Sequence, residues 1–322
     1  MRRIGCLGVI LGLFAIGGLF LVMQSWGGSG PAERTLTVAV PQGASLASAA
    51  DQLEEAGAIN SATRFRLLAR IIGSDEPIRA GEYRIPKGLS QADILKLLQG
   101  GRTLQRFVMV PEGWPSILVQ EAVAKAPQME GTPPLPAEGS VLPDSYSYER
   151  DGDRQALIKR MQVAMDRYLA AAWKKRKPTA VVKSPREAII LASIVEKETG
   201  KASERRMVAA VYSNRLSTGM RLQADPTVIY PITKGKPLGR RIRKSELQAK
   251  NGYNTYASAG LPVGPIANPG KASIDAVLDP AETKALYFVA DGTGGHVFAE
   301  TLAEHNANVK KWYALRRARG EM

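Results

Sequence analysis

A run of 20 residues with neither a charge nor a proline, residues 4–23, places the strongest constraint on what this chain can fold into. An apolar helix of about 20 residues matches the ~30 Å hydrocarbon core of a bilayer. Arg2 and Arg3 precede the run and the next basic residue is Arg34, so the positive-inside rule predicts a cytoplasmic N-terminus and an exported remainder. The alternative is a cleaved signal peptide, whose apolar core is usually only about 7–15 residues long. The sequence therefore predicts a single-pass inner-membrane protein with a periplasmic folded region.

Composition narrows the chemistry of that folded region. Lys and Arg total 44 against 30 Asp and Glu, which gives a formal net charge of +14. One Cys and two His exclude a disulfide framework, a Cys-rich zinc site and a site with three His ligands. Excess positive charge would suit an anionic cell-wall polymer or anionic lipid. Nucleic acid is not an expected partner, because no RNP, helix-turn-helix or zinc-finger pattern occurs.

Turn and cap signals predict an α+β chain in four parts. They are a cytoplasmic start and transmembrane anchor over 1–26, a Gly/Ser/Pro-rich linker over 27–34, a small module over 35–102 and a larger domain over 103–318. The small module shows the order strand, Pro-x-Gly turn and capped helix twice. Its strands are predicted at 35–40 and 81–85, and its helices at 46–56 and 93–98.

One predicted helix, which begins at Ser184 with Pro at its first position, carries a carboxylate on its apolar face. Helical neighbours lie three and four residues apart, so Glu198 shares a stripe with Leu191 and Ile194. Glu196 is rotated from Glu198 by about 160° and is expected on more polar ground. Desolvation raises the pKa of a carboxyl group, which would suit Glu198 for general acid catalysis near neutral pH. From periodicity alone, a Glu198 that reaches solvent or is neutralised by a structural arginine stays an open alternative.

Nucleophilic catalysis has weak support in the sequence. A Ser-His-Asp arrangement must use His296 or His305, and no Gly-x-Ser-x-Gly turn precedes either one. No Walker loop, Rossmann glycine pattern or His-Glu-x-x-His helix occurs. A loop histidine such as His296 is more often structural than catalytic.

Five long motifs in one order carry a resemblance to a known family. They are residues 192–199 (ASIVEKET), 220–230 (MRLQADPTVIY), 253–256 (YNTY), 260–270 (GLPVGPIANPG) and 287–298 (YFVADGTGGHVF). With these motifs the chain resembles the YceG/MltG family of bacterial endolytic murein transglycosylases. The resemblance extends over the apolar start, the small module and residues 104–318.

The resemblance implies a fold and a reaction. The small module would be LysM-like, a glycan-binding fold, and the larger domain would be a YceG-like catalytic domain that needs no cofactor. Glu198, the second Glu of the Glu-Lys-Glu triplet, would protonate the glycosidic oxygen between N-acetylmuramic acid and N-acetylglucosamine. The same carboxylate would then take the proton of the muramyl C6 hydroxyl, which closes a 1,6-anhydro ring without water.

The same resemblance implies partners and a role. The substrate would be nascent peptidoglycan, cut near the inner membrane so that growth of the glycan strand ends. The partners would be glycan strands, the inner membrane through one helix, and peptidoglycan synthases.

Polar residues set among Gly and Pro in these motifs are expected to line a glycan-binding cleft. The expected substrate-binding residues are Gln223, Asp225, Thr227, Tyr253, Asn254, Thr255 and Asn268. Asp225 is the main candidate for a second carboxylate, although it is more simply explained as the cap of a helix that begins at Pro226. Glu138 and Glu196 are lesser candidates.

Two other functions compete with the transglycosylase. One is a membrane-anchored scaffold that binds peptidoglycan without cleaving it, in which Glu198 is structural. The other is a hydrolytic muramidase, which requires a second carboxylate about 5–9.5 Å across the scissile bond from Glu198.

Overall fold

The structure, a computed structural model, describes Leu13, residues 16–18 and residues 20–321. These fall into two units: unit 1 holds the described residues up to Arg106 together with Ser147–Arg150, and unit 2 holds Phe107–Tyr146 and the described residues from Asp151 onward. Most of the predicted anchor lies outside the described residues. Within the described part, no helix combines the length and the apolar character that a membrane span needs. The anchor therefore stays a prediction.

Unit 1 is built on a two-stranded antiparallel sheet. Strand β1 (Leu36–Val40) pairs with β2 (Gly81–Ile85), with Leu36 opposite Ile85. Between residues 41 and 102, three helices accompany the sheet: α1 (Leu46–Glu55), α2 (Ala62–Ile72) and α3 (Gln91–Gly100). Each begins at a serine whose side chain accepts a hydrogen bond from a backbone N–H of the first turn, which satisfies one of the otherwise unpaired donors there.

Helix α2 is the one element of unit 1 that the sequence analysis did not predict. Ser61 caps it, and Phe65 and Leu68 point into the core. The other strands and helices of unit 1 agree with the predictions to within two residues. These elements share one apolar core, in which Leu53, Phe65 and Tyr83 are fully buried.

The segment predicted as a linker, 27–34, is not a free linker. Trp26, immediately before it, is buried in the core of unit 1, with its ring centroid 5.7 Å from that of Phe65. Gly30 N donates to the Gly88 carbonyl oxygen at 3.1 Å, and Gly88 N donates to the Ala32 carbonyl oxygen at 2.9 Å. The Gly/Ser/Pro composition allows this docked path because small residues let two backbones approach closely.

The remaining elements are mostly helical. Strands β3 (Arg106–Met109) and β5 (Ser145–Tyr148) pair with each other. Short strands β4 (Met129–Glu130) and β6 (Gly152–Asp153) pair in parallel, and β7 (Tyr287–Ala290) pairs antiparallel with β8 (His296–Ala299). The helices are α4 (Ser116–Lys125), α5 (Arg154–Lys174), α6 (Pro185–Glu198), α7 (Arg205–Ser217), α8 (Asp225–Thr233), α9 (Lys244–Gln248), α10 (Lys271–Leu278) and α11 (Leu302–Ala318).

Helix α6 lies at the centre of unit 2 and begins as predicted. Glu187 N donates to the Ser184 hydroxyl at 3.2 Å, and Pro185 occupies the first position. Every residue from 188 to 195 is buried, and the helix packs against α7 and α10. Burying a Leu or Ile side chain stabilises a fold by about 1.5–3 kcal/mol. A helix held on all sides in this way is a fixed support for the residues at its end.

Candidate active site

Glu198 is the last residue of α6, at the point where the helix leaves the core. The backbone of Thr199 is already extended, with a φ of −139°. Burial raises the pKa of Glu198 to about 7. A hydrogen bond from the Tyr212 hydroxyl acts to lower this pKa, and the negative charge of Asp225 acts to raise it. The raised pKa predicted from the helical stripe is confirmed. A carboxyl group with such a pKa exists in both protonation states near neutral pH, so it can both give and take a proton.

Helix α7 supplies two neighbours of Glu198 that the sequence analysis missed. Tyr212 is buried, and its hydroxyl donates to the Glu198 carboxyl. The Arg215 guanidinium donates from Nε to the Leu286 carbonyl oxygen at 2.7 Å and from Nη1 to the Leu222 carbonyl oxygen at 2.6 Å. Its positive charge favours the ionised form of Glu198. The sequence signal that could have identified them is the i, i+3 spacing of Tyr212 and Arg215, which places both on one face of the next helix along the chain.

Asp225 is the second carboxyl group whose charge reaches Glu198, and the expectation that it caps a helix is wrong. Ala224 occupies the cap position, and no side chain bonds there. Asp225 Oδ1 instead accepts a hydrogen bond from the Tyr256 hydroxyl at 2.6 Å. Asp225 itself is exposed, so a substrate can reach it.

Four residues expected to bind glycan are instead buried and bonded to the protein: Thr227, Asn254, Thr255 and Asn268. The two threonine hydroxyls lie 2.9 Å apart, and that of Thr255 accepts from Ala224 N at 3.0 Å. Asn254 Nδ2 donates to the Ala249 carbonyl oxygen at 2.7 Å. These contacts hold the loop before Asp225 against the loop that carries Tyr256. The geometry thus gives these side chains a positioning role and leaves them no free surface for a sugar.

Of the other expected cleft residues, Gln223 is exposed and Tyr253 is half-buried. Gln223 has a φ of 52°, a left-handed conformation fixed in part by its N–H, which donates to the Thr255 carbonyl oxygen at 3.2 Å. Tyr253 packs against Tyr230 with ring centroids 4.8 Å apart. Gln223 and Asp225 are therefore the two expected residues whose side chains are most open to a ligand.

Glu138 and Asn268 form a separate polar cluster. Glu138 Oε1 accepts from Ser116 N at 2.9 Å, and Oε2 accepts from the Tyr230 hydroxyl at 3.1 Å. Asn268 Nδ2 donates to the Trp114 carbonyl oxygen at 3.0 Å and lies 3.4 Å from Glu138 Oε1. Burial raises the pKa of Glu138 above its usual value. Because protein donors occupy both carboxylate oxygens, this cluster suits a structural role.

Glu196 faces polar groups, as expected, but it is not open to solvent. Its side chain is only 6% exposed, and Oε1 lies 3.7 Å from Arg205 Nη2. Oε2 accepts from Gly270 N at 2.9 Å. The helical projection correctly places the two glutamates on different sides of the helix. A neighbouring helix and the 260–270 loop cover the side of Glu196, which the periodicity of the sequence had left open to solvent.

Both histidines make structural contacts. His296 Nδ1 lies 2.8 Å from Glu204 Oε2, and the ring of His305 stacks on Tyr287 with centroids 5.1 Å apart. Among the described residues, no three His, Cys, Asp or Glu side chains are grouped as a metal ion requires.

Comparisons with known proteins identify relatives of this chain. The model of the YceG-like family matches residues 38–311. A protein of Bacillus subtilis strain 168 named endolytic murein transglycosylase is 29% identical over an alignment that covers 92% of this chain and 91% of that protein. A protein of the same name from Streptococcus pneumoniae D39 is 28% identical over 86% of this chain and 58% of its own length. The crystal structure of a YceG-like protein of Listeria monocytogenes superposes with a TM-score of 0.54 at 27% identity, covering 86% of this chain and 99% of that one.

Proposed function

The chain belongs to the YceG-like family, and on that premise we propose that it is an endolytic murein transglycosylase that cleaves peptidoglycan without water. The observation that carries the proposal is Glu198, a carboxyl group at the end of a buried helix whose pKa is raised to about 7. The similarity to proteins named endolytic murein transglycosylase supports the same reaction. Murein is a polymer of alternating N-acetylglucosamine and N-acetylmuramic acid, so the bond cut is a glycosidic bond.

In the proposed reaction Glu198 moves one proton in each of two steps. Protonated Glu198 donates to the glycosidic oxygen between the muramyl and glucosaminyl sugars, and the C–O bond breaks as positive charge develops at the muramyl C1. The Glu198 carboxylate then takes the proton of the muramyl C6 hydroxyl as its oxygen bonds to C1. The product carries a 1,6-anhydro end, and Glu198 is again protonated. The nucleophile belongs to the substrate, so proximity replaces an enzyme nucleophile.

Asp225 supports this chemistry from the exposed side of the site. Its negative charge raises the pKa of Glu198 and so favours the protonated form that must act first. The same charge would stabilise the positive charge that develops on the muramyl ring. The Tyr256 hydroxyl holds one Asp225 oxygen, which fixes the carboxylate for this electrostatic role.

A hydrolytic muramidase is the second candidate, and Asp225 is the observation that favours it. Hydrolysis uses one carboxyl group as acid and a second as base or nucleophile, and Asp225 is an exposed carboxylate close enough to act on the pKa of Glu198. The two reactions differ in their products, because hydrolysis adds a water and leaves a reducing end.

Mass spectrometry of uncrosslinked glycan strands tests both candidates. The full chain in detergent is expected to yield anhydro-ended fragments, and its Glu198→Gln variant is expected to release them about 10²–10⁴-fold more slowly. Glu196→Gln is the matched control, because it makes the same change two residues away and should keep the anhydro product. Reducing ends from the parent would favour the muramidase, and retention of uncut strands by the parent would favour a scaffold.

We further propose where in the cell this reaction takes place. Residues 4–23 would anchor the chain in the inner membrane with the catalytic unit in the periplasm, and the exposed apolar side chains of Phe20, Leu21 and Met23 support this. Unit 1 would be LysM-like, which its small two-stranded α+β architecture supports. A cut close to the membrane would end growth of nascent strands beside peptidoglycan synthases. Protease protection of the N-terminus alone in right-side-out vesicles would test the topology.

A further inference from the structure

Helix α2 of unit 1 exposes an apolar strip on the face opposite its core. Leu67 is 57% exposed and Ile71 is 67% exposed, and at about 100° per residue the two lie within about 40° of one another. Phe65 and Ala69 point the other way and are buried. Two large apolar side chains in adjacent turns, both turned to solvent, are not explained by the packing of unit 1.

Arginines flank this strip on both sides. Arg64 and Arg70 lie about 60° to either side of Leu67 on a helical projection, and both are exposed. The helix from Ala62 to Ile72 contains a third arginine and no acidic residue; Asp75 and Glu76 follow only after it has ended. An apolar strip bordered by cations is the pattern of a helix that lies in a membrane interface, with apolar groups toward the acyl chains and cations at anionic headgroups.

The proposed anchor would bring lipid close to this helix. Trp26 packs on Phe65 of α2 at 5.7 Å, and Gln91 Nε2 donates to the Ser25 carbonyl oxygen at 3.0 Å. Met23 at the end of the apolar run is only three residues from Trp26, a rise of about 4.5 Å along a helix. Trp26 and the exposed face are on opposite sides of α2, so the thickness of one helix, about 10 Å, separates them.

A second protein copy is a poorer occupant of this face. A stable protein interface buries about 20–30 residues on each side, whereas the strip offers two apolar side chains between like charges. Two copies meeting here would bring Arg64 and Arg70 of each together.

We propose that the exposed face of α2, formed by Arg64, Leu67, Arg70 and Ile71, is a membrane-contacting surface that lies on anionic phospholipid headgroups. This inference rests on the proposed membrane anchor. A short interfacial strip binds lipid weakly and reversibly on its own, so it acts as the second of two signals. Its effect is to hold unit 1 down on the bilayer.

Depth-dependent fluorescence quenching tests the proposal on the full chain. Cys6 is replaced by serine, and an environment-sensitive fluorophore is attached at Leu67→Cys or, as the matched control, at Lys96→Cys on α3, whose side chain is 77% exposed. The labelled chains are reconstituted into phosphatidylcholine vesicles with and without phosphatidylglycerol. Lipids with a nitroxide at shallow depth are expected to quench the probe at 67 about threefold more than the probe at 96, and more so with phosphatidylglycerol. The double substitution of Arg64 and Arg70 by Glu should bring the quenching at 67 down to the control.

The other outcomes contradict this inference, either alone or together with the proposed anchor. Chains that do not float with vesicles on a density gradient overturn the anchor and this inference together. Chains that float with equal quenching at 67 and 96 overturn this inference alone. Oxidative crosslinking of an unlabelled Leu67→Cys chain into dimers would assign the face to a second copy.

Discussion

Glu138 and Glu198 are two carboxyl groups of unit 2 whose pKa is raised by burial, in different surroundings. Glu138 accepts hydrogen bonds from Ser116 and Tyr230 on its two oxygens. Glu198 is held by the Tyr212 hydroxyl and acted on by the charge of an exposed Asp225. A raised pKa therefore does not by itself identify an acid catalyst. What separates the two is how far protein donors already occupy the carboxyl group.

The largest expected difference between them is in activity. Glu198→Gln removes the proton that the reaction moves and is expected to lower kcat by about 10²–10⁴-fold, the usual contribution of a general acid or base. Glu138→Gln keeps the size and one acceptor oxygen, so activity is expected within about threefold of the parent. Release of anhydro-muramyl ends over time measures both. Comparable losses in the two variants would break the comparison.

The next expected effect is on stability, where the replacement of Glu138 causes the loss. Glu138→Ala leaves Ser116 N and the Tyr230 hydroxyl without a partner, and each orphaned buried group costs about 1–3 kcal/mol. The free energy of unfolding is therefore expected to fall by about 2–6 kcal/mol. Urea unfolding followed by circular dichroism measures this loss. Glu138→Gln, which can still accept a hydrogen bond, should recover at least half of it.

The pH dependence of stability sharpens the contrast at Glu198. Its pKa is 4.5 when unfolded and about 7 when folded, so folding takes up a proton between these values. The stability from this group is fully present below about pH 4.5 and is lost as the pH rises to about 7. Relative to the parent, Glu198→Gln should thus gain about 1–3 kcal/mol between pH 5 and pH 8. Glu130→Gln, the same change at an exposed side chain, should show a flat difference, and a flat difference at Glu198 would contradict the burial argument.

The smallest effect concerns the alkaline limb of the rate profile. Activity is expected to fall as the pH rises above about 7, because Glu198 loses the proton it must donate. Asp225→Asn removes a negative charge that raises the pKa of Glu198, so this limb should move to lower pH by up to about one unit. Steady-state rates on soluble glycan strands from pH 5 to pH 9 measure the shift. A move to higher pH would show that Asp225 does not act through its charge.

Local sequence signals predicted the elements of unit 1 and helix α6 better than the site. The Ser184 cap and the 3.6-residue period identified α6 and the direction of Glu198, because both depend on residues within one or two turns. Tyr212 and Tyr256 were not assigned to this carboxylate environment, because their contacts with Glu198 and Asp225 cross 14 and 31 residues. The prediction that Asp225 caps a helix was wrong for the same reason, because the distant Tyr256 hydroxyl donates a hydrogen bond to its carboxylate.

Helix α2 was missed although its sequence carries local signals. Ser61 caps it, and Phe65 and Ala69 repeat at helical spacing and are buried. Leu67 and Ile71 lie on the opposite face and do not belong to that buried stripe. The same two side chains form the surface proposed for lipid.

The two bonds that Glu196 makes have a consequence for motion at the end of α6. Terminal turns of helices ordinarily fray, and they exchange their amide hydrogens through local openings that cost little free energy. Here the contact with Arg205 and the hydrogen bond from Gly270 tie the last turn to two other segments. Opening this turn breaks tertiary contacts as well as helical ones, so the amides next to Glu198 should exchange nearly as slowly as those at mid-helix.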